Sequence, residues 1–191
     1  MVEPKKRKEG RGDTPQEAAL DEALLTDVRI LIVESDYYRD IADTLRAGAT
    51  RALTAAACTF DVITVPGALE TPQAILLALQ AAPAAAPYDG VVALGCVIRG
   101  ETSHYDIVAG ESARALMDIA LMDWGTVRGI PVGNGILTVD NAAQAEKRAA
   151  LDGGDKGGAA AAAVLALVRL KRRLRRETPN KLRPGFLLSR E

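Results

Sequence analysis

Histidine is almost missing from this chain: His104 is the one copy in 191 residues. Cysteine is scarce too. Cys58 and Cys96 lie in apolar segments at no metal-ligand spacing, so the sequence offers neither a His/Cys metal cluster nor a disulfide framework, and both read as packing thiols of a reducing cytosol. Net charge is close to zero, with 24 basic against 25 acidic residues, and nothing global draws the chain to nucleic acid or to an anionic membrane. No apolar run reaches the roughly 20 residues of a membrane span, because Gly, Asp or Arg interrupts each one. The charged N-terminal stretch has no apolar core followed by a small-residue cleavage site, so no secretory leader is expected and a cytoplasmic location is.

What is present is a hydrophobic fraction of 48%, enough for the core of one domain. Residues 1–26 are charged, contain Pro4, Gly10, Gly12 and Pro15 and few large apolar groups; they read as a flexible arm with at most a short helix over 16–25. Within the arm, Pro4-Lys5-Lys6-Arg7-Lys8 has the form of a nuclear-import cluster, a form also common in solvated tails. From Val28 onward the hydrophobic period alternates between buried strands and one-faced helices. Strands are predicted at 28–33, 60–65, 88–94 and 130–137. Helices are predicted after Arg39 (Ile41, Leu45, Ala49, Ala52, Leu53), beyond Pro72 (Ile75, Ala78, Leu79, Ala82), and over 105–124, 141–150 and 156–173, the last with Ala161, Val164, Leu165 and Val168 on one face. Nearly continuous apolar strands separated by helices imply a central four-stranded parallel sheet covered on both sides, a three-layer αβα sandwich. The domain is placed at 27–174. A basic tail follows at 175–191, and its arginines, with Lys171, Arg172 and Arg173, are read as complementing a helix C-terminus rather than meeting a polyanion.

In such sandwiches ligands bind beyond the carboxyl ends of the strands. Four distinctive segments are expected there as loops: 34–39, 66–72, 95–104 and 133–138. The third carries His104, the one imidazole of the chain and so the natural candidate for moving protons.

Taken in order, Val65-Pro66-Gly67-Ala68-Leu69-Glu70, Leu94-Gly95-Cys96-Val97-Ile98-Arg99-Gly100-Glu101-Thr102-Ser103-His104, Gly135-Ile136-Leu137-Thr138 and Asp155-Lys156-Gly157 resemble the lumazine synthase family. The likeness keeps that family's order and spacing over roughly residues 28–170. It implies a flavodoxin-like fold and an activity without metal or cofactor: condensation of 5-amino-6-ribitylaminouracil with 3,4-dihydroxy-2-butanone 4-phosphate to 6,7-dimethyl-8-ribityllumazine, in riboflavin biosynthesis. It also implies a homopentamer with active sites at subunit interfaces, assembled further in some members into an icosahedral shell of pentamers. The partners are then small-molecule substrates and copies of the same chain, with no nucleic acid and no membrane.

The resemblance implies roles by position. His104 is the catalytic proton carrier. Tyr37 is the ring stacked on the pyrimidine, and Tyr38 contributes through its backbone. Ala68, Leu69 and Glu70 bind the ribityl chain, whose hydroxyls can donate hydrogen bonds to a carboxylate. Cys96, Val97 and Ile98 meet the pyrimidine edge, and Asn134 and Lys156 reach the same substrate from a neighbouring subunit. Glu101, Thr102 and Arg148 bind phosphate, with Lys156 beside them at a helix N-terminus whose dipole favours an anion. Arg99 is read as structural.

Three departures from the family pattern stand out: Asp36 where many relatives have arginine, Thr71 where many have isoleucine, and Asp155 where asparagine is commoner. The Ala/Pro run at 81–87 also lengthens one helical connection. Two other readings stay open at this point, a flavin- or lumazine-holding relative with little turnover and a shell protein whose catalysis is secondary.

Overall fold

Where runs such as Ile30-Leu31-Ile32-Val33 are apolar on both faces, a strand has to be covered on both faces, and the architecture follows from that. The computed structural model describes residues 22–121 and 129–177. Four strands, β1 (Arg29–Ser35), β2 (Thr59–Val65), β3 (Gly90–Ile98) and β4 (Val132–Val139), form one parallel sheet in the order β2-β1-β3-β4. This is the flavodoxin-like order carried to four strands. The helices are α1 (Arg39–Ala55), α2 (Glu70–Ala81), α3 (His104–Leu121), α4 (Ala142–Ala149) and α5 (Lys156–Glu177).

Alternate side chains of β1 enter opposite cores. Ile30 and Ile32 pack with Leu45, Ala49 and Leu53 of α1, Ala145 and Ala149 of α4, and Ala161, Val164 and Val168 of α5. Leu31 and Val33 pack with Ile75 of α2 and with Leu116 and Ile119 of α3. The three layers expected from the hydrophobic period are therefore present, with α1, α4 and α5 on one side and α2 and α3 on the other. The tightest seam joins α1 to the start of α5: a Cβ on Gly157 would lie 1.9 Å from the Leu45 carbonyl oxygen, so only glycine lets the two backbones meet.

Several boundaries differ from those expected. β3 runs on to Ile98, so 95–98 are strand and not loop, and β4 runs from Val132 to Val139, so 133–138, expected both as the end of the strand at 130–137 and as a loop, are strand throughout. Glycine looked like a terminator there, yet at Gly95 it is a fit: a Cβ would lie 2.4 Å from Ser35 Oγ. β1 likewise extends through the buried Glu34 and Ser35. Helix α2 starts at Glu70, ahead of Pro72, because a proline in the first helical turn lacks only an N–H that has no partner anyway. β2 is a sheet edge and mostly exposed, unlike the buried strand expected. Helix α5 continues four residues past the expected end at Arg173. At the other terminus Leu24 and Leu25 are buried, and the Arg172 guanidinium donates to the carbonyls of Leu24 and Thr26 at 3.2 and 2.6 Å. The Pro4 to Lys8 cluster and the rest of 1–21, the expected helical end at Trp124, and 178–191 lie outside the described residues.

Candidate active site

From β1 the chain crosses to β2 on one side, then returns past β1 to β3 on the other. The segments that leave β1 and β3 thus diverge, and a crevice opens at the carboxyl ends of the strands before any side chain is considered. A cavity of about 610 Å³ lies there, within the usual range for a small-molecule site. Its walls are Tyr37 and Tyr38 from the β1–α1 turn, Pro66, Gly67, Ala68, Leu69 and Glu70 from the β2–α2 turn, Cys96, Val97 and Ile98 from β3, and Gly100, Thr102, His104, Tyr105 and Val108 from the β3–α3 connection and the first turns of α3.

Each wall has a local cause. The 36–38 turn is held by the Asp36–Arg39 ion pair and by Asp36 N–H donating to the Val65 carbonyl at 3.1 Å. It presents two rings edge to face, with centroids 5.0 Å apart, and Tyr37 is 74% exposed and open to a stacking partner. Beneath the turn the buried Glu34 carboxylate is paired with Arg46 and accepts from Thr64 Oγ1 at 3.0 Å. In the β2–α2 turn the Glu70 N–H donates to the Gly67 carbonyl at 3.2 Å, and a Cβ on Gly67 would sit 2.8 Å from Glu70 Oε2. The carboxylate therefore folds back over the turn, beside the buried Ala68.

The most informative wall is β3. Its pairing with β1 ends at Glu34↔Leu94, while its pairing with β4 continues to Ile98↔Val139. Along 95–98 the backbone is held straight from one side only. Since N–H and C=O groups alternate sides along a strand, about half of those in this overhang face the cavity where β1 no longer runs.

His104 opens α3 and is exposed, with its backbone N–H donating to Thr102 Oγ1 at 3.4 Å. It is a first-turn helical residue and not part of the loop expected. Arg99 braces this turn: it pairs with Asp106 at 3.1 Å and Asp140 at 3.6 Å and lies 4.0 Å over the Tyr105 ring centroid. Burial pushes the Cys96 thiol up from 9.0 to about 11, and burial, with Tyr37 and Cys96 nearby, raises the Tyr38 phenol, so both stay protonated near neutrality.

Four of the residues singled out in the sequence do not line this cavity. Glu101 is exposed in the loop next to it. Asn134 is on β4, exposed, with its Oδ1 accepting from the Ile136 N–H at 2.9 Å. Arg148 is exposed in the last turn of α4, and Lys156 is the exposed first residue of α5. A short turn joins these last two, closed by Gly154 N–H to Lys147 O and Asp155 N–H to Ala150 O, each at 3.0 Å. Gly157 and Gly158, which follow Lys156 at the helix N-terminus expected to favour an anion, are buried, and the Gly158 N–H already donates to Asp155 Oδ1 at 3.1 Å. Two lining residues were missed, Tyr105 and Val108; Val108 stands one helical turn after His104, and that i, i+4 spacing was the available signal. Among the described residues no group of three or more His, Cys, Asp or Glu side chains is placed to hold a metal ion, and no helix is long and apolar enough to cross a membrane.

The family model described as 6,7-dimethyl-8-ribityllumazine synthase matches residues 27–172. Relatives with that same description include one from Azorhizobium caulinodans, 58% identical over 161 residues that cover 84% of this chain and 96% of the relative. Another, from Methylobacterium sp. strain 4-46, is 55% identical over 170 residues, 88% of this chain and 91% of the relative. A third, from Rhizobium meliloti, is described as 6,7-dimethyl-8-ribityllumazine synthase 1 and is 56% identical over 153 residues. With the family model spanning most of the chain and these relatives more than half identical to it, the chain belongs to the 6,7-dimethyl-8-ribityllumazine synthase family.

Proposed function

We propose that the protein condenses 5-amino-6-(D-ribitylamino)uracil with 3,4-dihydroxy-2-butanone 4-phosphate, releasing phosphate and water, as a lumazine-forming transferase of riboflavin biosynthesis. The observation that carries this reading is the convergence of two family-like segments, 65–70 and 94–104, with Tyr37 and Tyr38 from the β1 end, on one cavity with the sole histidine at its rim. The uracil amine attacks the ketone, an imine forms with loss of water, phosphate is eliminated, and the ring closes with loss of a second water. Each step moves a proton, and the His104 imidazole relays it. The flat pyrimidine stacks on Tyr37, its polar edge meets the backbone overhang at 96–98, and the ribityl hydroxyls meet the 68–70 turn with the Glu70 carboxylate. Much of the acceleration comes from holding two small reactive molecules side by side.

Asn134, Arg148 and Lys156 act from a neighbouring copy. Their exposure, and their absence from the walls of their own chain's cavity, support a site completed across an interface of a homopentamer. The phosphate of the ketone then lies between Arg148 and Lys156 of one subunit and Glu101 and Thr102 of the next, where an arginine can grip two oxygens at once. The test is a two-substrate assay on purified protein, followed by product absorbance, with particle mass measured by light scattering. Lumazine formation by pentamers or multiples of them is expected. Turnover by monomers would overturn the shared site, and no turnover at all would overturn the reaction.

A further inference from the structure

The turn that carries Arg148 and Lys156 is organised by one side chain. Asp155 sits in the left-handed region, at φ 37°, where Asn, Asp and Gly rest most easily. Its carbonyl accepts from the Ala159 N–H at 2.8 Å and its Oδ1 from the Gly158 N–H at 3.1 Å, which makes it the N-cap of α5. Its other oxygen, Oδ2, accepts from Arg51 of α1 at 2.7 Å. Gly48 leaves the space for this arrangement, since a Cβ there would lie 2.2 Å from Oδ1. The cap therefore ties the start of α5 to the helix that begins beside Tyr37 and Tyr38.

Capping needs no charge, because an asparagine oxygen accepts the same bond. A carboxylate immediately before Lys156 opposes an incoming phosphate, and the Arg51 guanidinium cancels that opposition. We propose that Asp155 and Arg51 act as a positioning pair for the phosphorylated substrate: Asp155 fixes the turn that aims Arg148 and Lys156, and Arg51 neutralises the carboxylate so that the site keeps its positive charge. The inference rests on the reading of Arg148 and Lys156 as phosphate ligands.

Steady-state kinetics with each substrate varied in turn test it, beside thermal unfolding of every variant. R51Q is expected to raise the KM for the phosphorylated ketone about fivefold, with a much smaller change in the KM for the uracil amine, and the difference shrinks in high salt. D155N keeps the cap but drops the charge, and lowers that KM about threefold. D155A drops the charge and the cap together and raises it about tenfold, opposite in sign to D155N at the same position. The double variant R51Q/D155N returns near the wild-type value. An unchanged KM in R51Q, or equal shifts of the same sign in D155A and D155N, would overturn the proposal. If D155A does not fold, the signs of R51Q and D155N still decide. Titration calorimetry with inorganic phosphate reads the same order of affinities without turnover. An inactive wild-type chain would thus sink the functional reading, while the phosphate affinities alone judge this pair.

Discussion

Cys96 is the sharpest place to test the environment of the cavity. Its thiol is 6% exposed and its titration is pushed from 9.0 to about 11 by burial. At pH 8 a thiol titrating at 9.0 is about one-tenth thiolate, and one titrating near 11 is about one-thousandth, so alkylation slows about a hundredfold from ionisation alone. Steric burial lowers the absolute rate further, which is why the pH profile is the diagnostic quantity. In a C58S background, iodoacetamide labelling followed by mass spectrometry from pH 7.5 to 10.5 is expected to climb tenfold per pH unit with no plateau. Addition of the uracil amine is expected to protect the thiol. The same shift has a sign in stability: the folded state holds the proton more tightly, so the contribution is complete below pH 9 and is lost as pH rises from 9 toward 11, by at most about 3 kcal/mol. Labelling that levels off between pH 8 and 9 in a protein still folded by circular dichroism would refute the argument, because the thiol would then be solvated.

His104→Ala is expected to lower kcat about a hundredfold yet leave measurable lumazine formation, since alignment of the two substrates persists; a folded variant with no activity would show that the imidazole is indispensable. Asn141 caps α4 by accepting from the Gln144 N–H at 3.0 Å, and Gln144 Oε1 accepts in return from the Asp140 N–H at 3.1 Å. Asn141→Ala should cost about 1 kcal/mol in denaturant unfolding, and an unchanged midpoint would mean that the cap contributes nothing. Gly157→Ala places a methyl 1.9 Å from the Leu45 carbonyl oxygen and should cost about 3 kcal/mol by forcing α1 and α5 apart. A thermal midpoint within a degree of wild type would contradict that seam.

The layers were legible because their cause is local: Leu45, Ala49 and Leu53 recur at helical spacing, and the apolar run at 30–33 has no polar face to offer water. The ends of β3 and β4 were not, because Gly95, Gly133 and Gly135 carry two meanings. In isolation they signal a turn. Inside the fold they make room, for Ser35 at Gly95 and for Ala160 at Gly133. Pro72 misled for a related reason, since a proline forbidden in the body of a helix is harmless in its first turn. At the site, His104, Tyr37 and the 68–70 turn could be read from motif order, and their convergence follows from strand order. Whether Arg148 and Lys156 face the cavity of the same chain is not written in any hydrophobic period. Their exposure at the two ends of one turn emerges only once the helices α4 and α5 are folded.

The overhang of β3 has a consequence for how recognition responds to temperature and time. A loop that reads a heterocycle by its backbone has to be frozen at the moment of capture, at about 1 to 2 kcal/mol per residue in lost freedom. Residues 96–98 are already immobilised by their ladder with β4 when the ligand arrives. Capture should therefore proceed without a slow conformational phase, with the amides that ladder to β4 resisting hydrogen exchange equally in the empty and the occupied protein, those that face the cavity gaining protection only on occupation, and discrimination set by the fixed spacing of a strand rather than by the accommodation of a hinge.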